Sequence, residues 1–188
     1  FVVLMPVFAA KVLGGGPHTL GFLMGAVGVG ALVSAISLAA RKTVRGLVKM
    51  IPLAAAVFGL GLIGFGLSRS FWLSMAMVLV AGMGMMQGMA ASNTIIQTLV
   101  SEDMRGRVMS YYTMAFVGMA PFGSLLAGTL ADAIGAPWTV ILNGAAVLLG
   151  AAWFATQMPK VRREMRPVYL ELGIIPAAKE MAAEQVQS

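Results

Sequence analysis

The stretch FWLSMAMVLVAGMGMMQGMAASNTIIQTLV, residues 71–100, contains no charged side chain. A helix rises about 1.5 Å per residue, so about 20 residues cross the roughly 30 Å hydrocarbon core of a bilayer. Four other stretches are long enough and nearly free of charge: residues 19–40, 48–67, 108–131 and 137–158. A further apolar stretch, residues 1–13, is too short to cross alone. The sequence therefore predicts an all-α polytopic membrane protein.

The composition also indicates a membrane protein. Hydrophobic residues make up 59% of the 188 positions and charged residues 11%. Soluble domains carry roughly 25% charged residues, so an ordinary soluble fold could not bury this much apolar surface. The net charge of +6 comes from basic residues in short loops beside the apolar stretches, and we therefore expect no nucleic-acid partner. The absence of cysteine excludes disulfides and thiolate metal sites.

Basic residues are unevenly divided between the loops. Counting residues 1–13 as the first segment, ten basic residues follow the second, fourth and sixth segments, and only Lys11 and Arg69 lie in the other loops. Short cytoplasmic loops carry the excess of Lys and Arg, so the richer side is predicted to be cytoplasmic. This prediction places the C-terminus in the cytoplasm and Phe1 near the cytoplasmic face. The ten residues are Arg41, Lys42, Arg45, Lys49, Arg105, Arg107, Lys160, Arg162, Arg163 and Arg166.

The expected organisation is one membrane domain, residues 1–158, and a cytoplasmic tail, residues 159–188. Residue 1 lies within an apolar run with no basic segment before it, a pattern that resembles neither a signal peptide nor a natural start. We therefore expect a fragment whose first membrane helix lacks its opening turns. The arginines after residue 159 are expected to hold the tail near anionic lipids.

The membrane segments differ in polarity, and in lipid a polar side chain must find a protein partner or a water-filled cavity. The third and sixth segments carry few polar side chains, so we expect them to be peripheral and to face lipid. In the fourth segment, Gln87, Thr94 and Gln97 are candidates to line a cavity, with interhelical hydrogen bonding as the alternative. The fifth segment adds polar side chains near its cytoplasmic end: Ser110, Tyr111, Tyr112 and Thr113.

Glycine and methionine are concentrated in the same segments. Gly21 and Gly25, and likewise Gly84 and Gly88, are four positions apart, a spacing that favours close helix approach. Methionine side chains either adapt to varied apolar ligands or fill space between helices, and both interpretations stay open. Those of the fourth segment are Met75, Met77, Met83, Met85, Met86 and Met89.

The sequence offers no catalytic site. Gly59, Gly61 and Gly64 match the pattern GxGxxG, but they lie inside an apolar run with no strand before them, which argues against a dinucleotide site. The single histidine, His18, lies in a predicted outer loop, so neither a metal cluster nor a Ser/His/Asp arrangement can be assembled. Asp132 is predicted to lie at a helix end. We expect no enzyme activity, no cofactor and no metal.

Two runs resemble a known family. Residues 101–110, SEDMRGRVMS, followed by residues 118–124, GMAPFGS, resemble the region of the fourth and fifth helices in one half of a major facilitator superfamily transporter. Residues 166–176, RPVYLELGIIP, look like the segment after the last helix in the enterobactin-exporter-like and macrolide-efflux-like branch, the transmembrane secretion effectors. One departure is Ala40, which stands where the family has an acidic residue.

The resemblance covers essentially the whole chain and implies the C-terminal half of such a transporter, with six transmembrane helices in two three-helix repeats. It implies a secondary active transporter with alternating access, exporting a small amphiphilic, drug-like or siderophore molecule across the bacterial inner membrane by proton antiport. The partners would be the lipid bilayer, a missing N-terminal six-helix half, the small-molecule substrate and protons. The alternative is a non-transporting membrane scaffold with the same fold.

Polarity and resemblance together assign candidate roles to three groups of residues. The candidates for the substrate cavity are Gln87, Thr94 and Gln97. The candidates for a cytoplasmic gating loop are Asp103, Arg105, Arg107 and Arg41. The candidates for shaping the fifth helix are Gly118, Pro121 and Gly123.

Overall fold

The computed structural model describes residues 1–41 and 46–171, and all regular structure within them is helical. The helices are α1 (Val2–Val12), α2 (Pro17–Ala39), α3 (Leu47–Leu67), α4 (Phe71–Leu99), α5 (Glu102–Ile134) and α6 (Ala136–Glu171). Five of them, α2 to α6, are long and apolar enough to cross a membrane. The prediction of an all-α, multi-span protein is therefore confirmed. Lys42, Arg45 and residues 172–188 lie outside the described residues.

α1 is a short helix that lies against the middle and one end of the bundle. Its Phe8 ring packs 4.1 Å, centroid to centroid, from Phe65 near the end of α3, and the Phe1 ring lies 5.7 Å from Phe58 in the middle of α3. Phe1 is therefore level with the middle of the bundle, not near its cytoplasmic face as expected. The reason is length, since α1 at about 1.5 Å per residue covers only about half of the hydrocarbon core.

α5 begins earlier than the hydropathy pattern predicts, at Glu102 instead of residue 108. Ser101 is its N-cap, and the Ser101 carbonyl accepts hydrogen bonds from the backbone N–H groups of Met104 at 3.1 Å and Arg105 at 2.9 Å. Glu102 and Asp103 place carboxylates in the first turn, where they complement the positive end of the helix dipole. The Arg-Gly-Arg motif is therefore the start of a helix and not a loop.

α6 continues past residue 158, the expected end of the membrane domain, to Glu171. Pro159 removes one backbone hydrogen bond, and an interior proline costs about 3 kcal/mol. Packing offsets this cost, because Val161 and Met165 contact an apolar cluster formed by the neighbouring ends of α2, α3 and α4, here called the end cluster. Its buried members are Leu47, Val48, Ala91 and Ile95, and its half-buried members are Leu38, Ile51, Leu99, Met158, Val161 and Met165.

α3 and α4 pack against each other at the centre of the described helices. α3 packs along α4 on one side and along α6 on the other, while α2 packs along the opposite side of α4. In its most apolar window 39% of residues are buried, against 6% for α5, so α3 packs against neighbouring helices over part of its surface. The expectation that α3 is peripheral and faces lipid stays a prediction. An exposed stripe of Leu53, Leu60 and Leu67 remains. Apolar side chains suit a helix interface as well as lipid, so hydropathy does not distinguish the two.

Glycines allow the backbones of α3, α4 and α6 to touch. A Cβ atom added to Gly59 would lie 2.8 Å from the Gly144 carbonyl oxygen, and one added to Gly144 would lie 2.7 Å from the Gly59 oxygen. Gly84 meets α3 in the same way, since its Cβ would lie 2.6 Å from the Ala54 carbonyl oxygen. The predicted role of Gly84 is therefore confirmed.

The predicted role of the α2 glycines is wrong within the described residues. A Cβ atom at Gly21 or Gly25 would meet no described atom within 4 Å. α2 instead approaches α4 through Gly30, which lies against the Leu79 carbonyl, and through Gly82 of α4, which lies against Val27. Spacing alone identified glycines suited to close contact, but the contact depends on which face of α2 turns towards α4.

We predict that Gly144→Ala destabilises the protein by about 1–3 kcal/mol, because its methyl group would overlap the α3 backbone. The matched control on the same helix is Gly150→Ala, whose Cβ meets no described atom within 4 Å. The measurement is the midpoint temperature for loss of monodisperse protein in detergent. The midpoint should fall for Gly144→Ala and stay or rise for Gly150→Ala, and equal midpoints would contradict the packing described.

Candidate substrate-binding surface

The three cavity candidates lie on the second half of α4, on two different faces. Gln97 is exposed, whereas Gln87 and Thr94 are half-buried. At about 100° per residue, Gln97 points roughly 80° away from Gln87, while Thr94 and Gln87 share one flank. Ala91, fully buried in the end cluster, marks the adjoining face that packs against α3. Gln87 and Thr94 therefore border a helix interface, and Gln97 points away from it.

Hydrogen bonds of these side chains stay within α4. The Gln97 amide nitrogen donates to the Asn93 side-chain oxygen at 2.9 Å, and the Thr94 hydroxyl donates to the Ala90 carbonyl at 2.8 Å. Thr98 likewise donates to the Thr94 carbonyl at 2.7 Å. The alternative to a cavity role was hydrogen bonding between helices. In the described residues, the hydrogen bonds of Thr94 and Gln97 lie within α4 instead. A Gln–Asn pair held this way presents free amide donors and acceptors to its surroundings.

The methionines of α4 divide between packing and surface. All six are half-buried, and Met75 and Met77 pack against the main apolar core, where they fill space between helices. Met83, Met85, Met86 and Met89 are half-buried residues along the same helix. Met75 and Met77 therefore fill space between helices. For Met83, Met85, Met86 and Met89, contact with a ligand stays a prediction.

A shallow, open depression of about 650 Å³, here called the groove, lies on the first half of α5, which supplies all of its described lining. Its described lining combines apolar and small polar groups and has no charged side chain: Met109, Ser110, Thr113, Met114, Val117 and Gly118. The Ser110 hydroxyl donates to the Gly106 carbonyl at 2.8 Å, so its oxygen keeps acceptor capacity towards the groove. Polarity had indicated Ser110 and Thr113. The methionines and Val117 were not identified, because apolar residues in a membrane helix give no signal until the neighbouring helices are placed.

Pro121 lies inside α5, and the helix continues through it without a break. Proline has no N–H, so the carbonyl of Val117, four residues earlier, lacks its usual helical donor. Val117 lines the groove, and this carbonyl adds a hydrogen-bond acceptor to an otherwise mostly apolar surface. Cβ atoms at Gly118 and Gly123 would meet no described atom within 4 Å, so neither glycine is needed for a close helix contact here.

The four gating candidates lie at the same end of the bundle as the end cluster. Asp103, Arg105 and Arg107 lie in the first two turns of α5, and Arg41 follows the end of α2. Arg105 pairs with Glu102 at 3.9 Å, the one ion pair among the described residues, and Asp103 and Arg107 are exposed. An exposed pair of this kind contributes only about 0–1 kcal/mol. Arg105 is half-buried, and its Nε has no hydrogen-bond partner in the described part of the chain.

The described residues contain no group of three or more His, Cys, Asp or Glu side chains placed to hold a metal ion.

We predict that water reaches Gln97 but not the opposite face of α4. The chain contains no cysteine, so single-cysteine variants can be labelled without a background. Gln97→Cys should react with a membrane-impermeant maleimide, whereas Ile95→Cys, at a position only 8% exposed, should react far more slowly. The labelling rates of the two variants in membranes give the comparison. Equal rates, or no reaction at Gln97→Cys, would remove Gln97 from a water-filled cavity.

Curated relatives match most of the chain. The chain is 32% identical over 164 residues to the multidrug efflux pump Tap of Mycobacterium tuberculosis (strain ATCC 25618 / H37Rv) and to that of Mycobacterium bovis (strain BCG / Pasteur 1173P2). These matches cover 86% of this chain and 36% of each relative. It is also 30% identical over 149 residues to the multidrug efflux pump Tap of Mycolicibacterium fortuitum, covering 78% of this chain and 36% of that protein.

The chain thus spans about a third of the length of the curated relatives it matches, 36% in each case. No solved structure gives a significant match. The model of the transmembrane secretion effector family matches residues 1–170, nearly the whole described region and the Arg-Gly-Arg segment within it. The chain therefore belongs to the transmembrane secretion effectors, a family of major facilitator superfamily membrane transporters and not of enzymes.

Proposed function

We propose that this chain is part of a secondary active transporter that exports small amphiphilic, drug-like molecules by alternating access. The relatives named multidrug efflux pumps support the export of drugs. The observation that carries the proposal is the exposure of α5. This helix is long enough to cross the membrane, yet only 6% of its most apolar window is buried inside the bundle. Its uncovered surface includes the groove, which gives a substrate a place to bind between this bundle and whatever covers α5.

The chain would supply one half of the transporter, with α1 to α6 as six transmembrane helices in two three-helix repeats. Two observations support this proposal. The chain corresponds to 36% of the length of its relatives, and α5 leaves large apolar side chains uncovered by the described residues. In the proposal, a second set of six helices covers this face and completes the substrate route. The uncovered side chains include Tyr111, Met114, Val117, Met119, Phe122, Leu125 and Leu126.

The groove favours a drug-like molecule over a siderophore. Its described lining holds thioethers, hydroxyls and one carbonyl freed by Pro121, and no charged side chain. Flexible methionines adapt to apolar ligands of different shape, and the hydroxyl and carbonyl groups orient a molecule that brings its own hydrogen-bond donors. An anionic siderophore would need a cation that this lining does not offer. In the proposal Gln97 extends the polar contacts on α4, and Gln87 and Thr94 border them.

Proton antiport supplies the energy in this proposal, and the titrating groups would lie outside the described spans. The acidic residues of the five spanning helices lie outside their apolar stretches: Glu102 and Asp103 begin α5, Asp132 is near its other end, and Glu164 and Glu171 follow Pro159 in α6. A proton relay needs a titratable group along the route through the membrane. Arg41, Asp103, Arg105 and Arg107 are proposed to contact neighbouring helix ends on the cytoplasmic side when the transporter closes there.

The proposed location is the bacterial inner membrane, with the C-terminus in the cytoplasm. We predict that Lys49→Cys and Arg163→Cys are accessible from the cytoplasmic side and Arg69→Cys from the outside, because all three positions are exposed and the charge bias requires this arrangement. An impermeant maleimide added to intact cells should label only Arg69→Cys, and cell lysis should expose the other two. Labelling of Lys49→Cys and Arg163→Cys from opposite sides would contradict the number of spans between them.

The transport proposal is tested in inside-out vesicles that contain the full-length protein. An imposed proton gradient should drive accumulation of drug-like dyes, and Gln97→Leu should lower the initial rate several-fold, since a good hydrogen bond contributes about 1 kcal/mol. The control is Gln157→Leu, the same change at an exposed position of α6 that faces away from the groove in this proposal.

Three outcomes would oppose parts of this proposal. Wild-type vesicles that move no dye across a broad panel would favour the non-transporting scaffold. An unchanged rate for Gln97→Leu, at normal expression, would remove this residue from the substrate route. Equal losses for Gln97→Leu and Gln157→Leu would indicate a general effect of the substitution on the membrane helices.

A further inference from the structure

α6 is much longer than a membrane crossing requires. Its residues Ala136–Glu171 form one helix of 36 residues. From Pro137, about 20 residues cross the hydrocarbon core, which places Gln157 at the far boundary. Lys160 and Arg163 then lie roughly 4 Å and 9 Å beyond that boundary, at the depth of the lipid headgroups, whose layer is about 5–8 Å thick on each side. Residues 158–171 are here called the α6 extension.

The extension has one apolar face, and this face is packed against the bundle. Met158, Val161 and Met165 contact the end cluster, and Tyr169 continues the same face by helical spacing and is also half-buried. The Tyr169 hydroxyl is buried with no hydrogen-bond partner in the described part of the chain, and burial raises the pKa of Tyr169. Residues 158–165 of the extension are therefore attached to the bundle, and the orientation of the helix about its own axis is determined by that packing.

The opposite face of α6 changes from apolar to basic at the membrane boundary. Leu142, Leu149 and Trp153 are exposed along one stripe of the spanning part, and Trp153 is 67% exposed. Lys160 lies on the same stripe, about five helical turns after Leu142, and Arg163 lies roughly 60° from it. Both basic side chains are exposed. The stripe that meets lipid tails inside the membrane therefore presents two cations where the headgroups begin.

We propose that Lys160 and Arg163 form a binding site for the headgroup of an anionic phospholipid. The site rests on the proposed orientation, which places this end of α6 at the cytoplasmic leaflet. Lys49 is a further exposed cation at the same end, where α3 begins beside the end cluster. Arg162 and Arg166 add basic residues to the same segment of the sequence. Basic residues attract an anionic membrane surface, so the two exposed residues together give a preference of about tenfold or more for anionic over zwitterionic lipid.

The test compares two double variants that lose the same charge. Three proteins are purified in detergent: the wild type, Lys160→Gln/Arg163→Gln and the control Lys11→Gln/Arg69→Gln. The control removes two exposed cations from the other end of the bundle. Each is incubated with equal amounts of phosphatidylglycerol and phosphatidylcholine with identical acyl chains. Native mass spectrometry then gives the ratio of the two bound lipids, and size-exclusion chromatography confirms that each variant is monodisperse.

Wild type and the Lys11/Arg69 control should retain phosphatidylglycerol preferentially, and the Lys160/Arg163 variant should lose this preference by about tenfold or more. About 0.5 M salt should reduce the preference of the wild type, because exposed charges are screened. An unchanged ratio in the Lys160/Arg163 variant, or an equal loss in the control, would overturn the site. Transport is not part of this readout, so a protein that binds the lipid but moves no dye contradicts only the proposed function.

Discussion

Direct contact between helix backbones is the interaction on which the rest of this bundle depends. In lipid, helices gain little from hiding apolar surface, because the lipid tails are as apolar as the side chains, and close van der Waals contact takes over that role. The Gly59–Gly144 contact joins α3 to α6, and Gly84 joins α4 to the Ala54 turn of α3. Together with the Gly30 and Gly82 contacts between α2 and α4, they join four helices in the order α2, α4, α3 and α6. Helices without such contacts are attached less closely.

α5 shows the consequence of lacking these contacts. Gly118 and Gly123 have open space beside them within the described residues, and Ala127 is the one residue of α5 that is fully buried there. The first half of the helix therefore keeps its surface free, and this is the half that contains the groove. Pro121 adds to the effect, since it frees the Val117 carbonyl without interrupting the helix. The described helices thus leave this half of α5 uncovered, and Ser110 and Thr113 add hydroxyl groups to its apolar surface, a combination typical of ligand sites.

The candidate site could be predicted only in part. Ser110 and Thr113 of the groove were indicated by the sequence because a polar side chain inside a membrane segment is costly and therefore informative. Met114 and Val117 were missed, since an apolar residue gives the same signal towards lipid, another helix or a ligand. Spacing alone also could not show that Gln97 bonds to Asn93 within its own helix, or that Gln87 borders the α3 interface. These facts depend on how α4 is rotated against its neighbours.

By itself, the sequence determined the all-helical class, the number of long spans and the ends of α2, α3 and α4 to within a few residues. It did so because hydropathy, charge and turn residues are properties of each segment taken alone. Only the tertiary structure decided that α3 lies between α4 and α6, that Gly30 and not Gly25 meets α4, and that α6 continues beyond Pro159. The physical reason is that each of these outcomes depends on a second helix. An interface needs two complementary faces. A proline in a long helix is tolerated where the following residues find a surface to pack against, as Val161 and Met165 do on the end cluster.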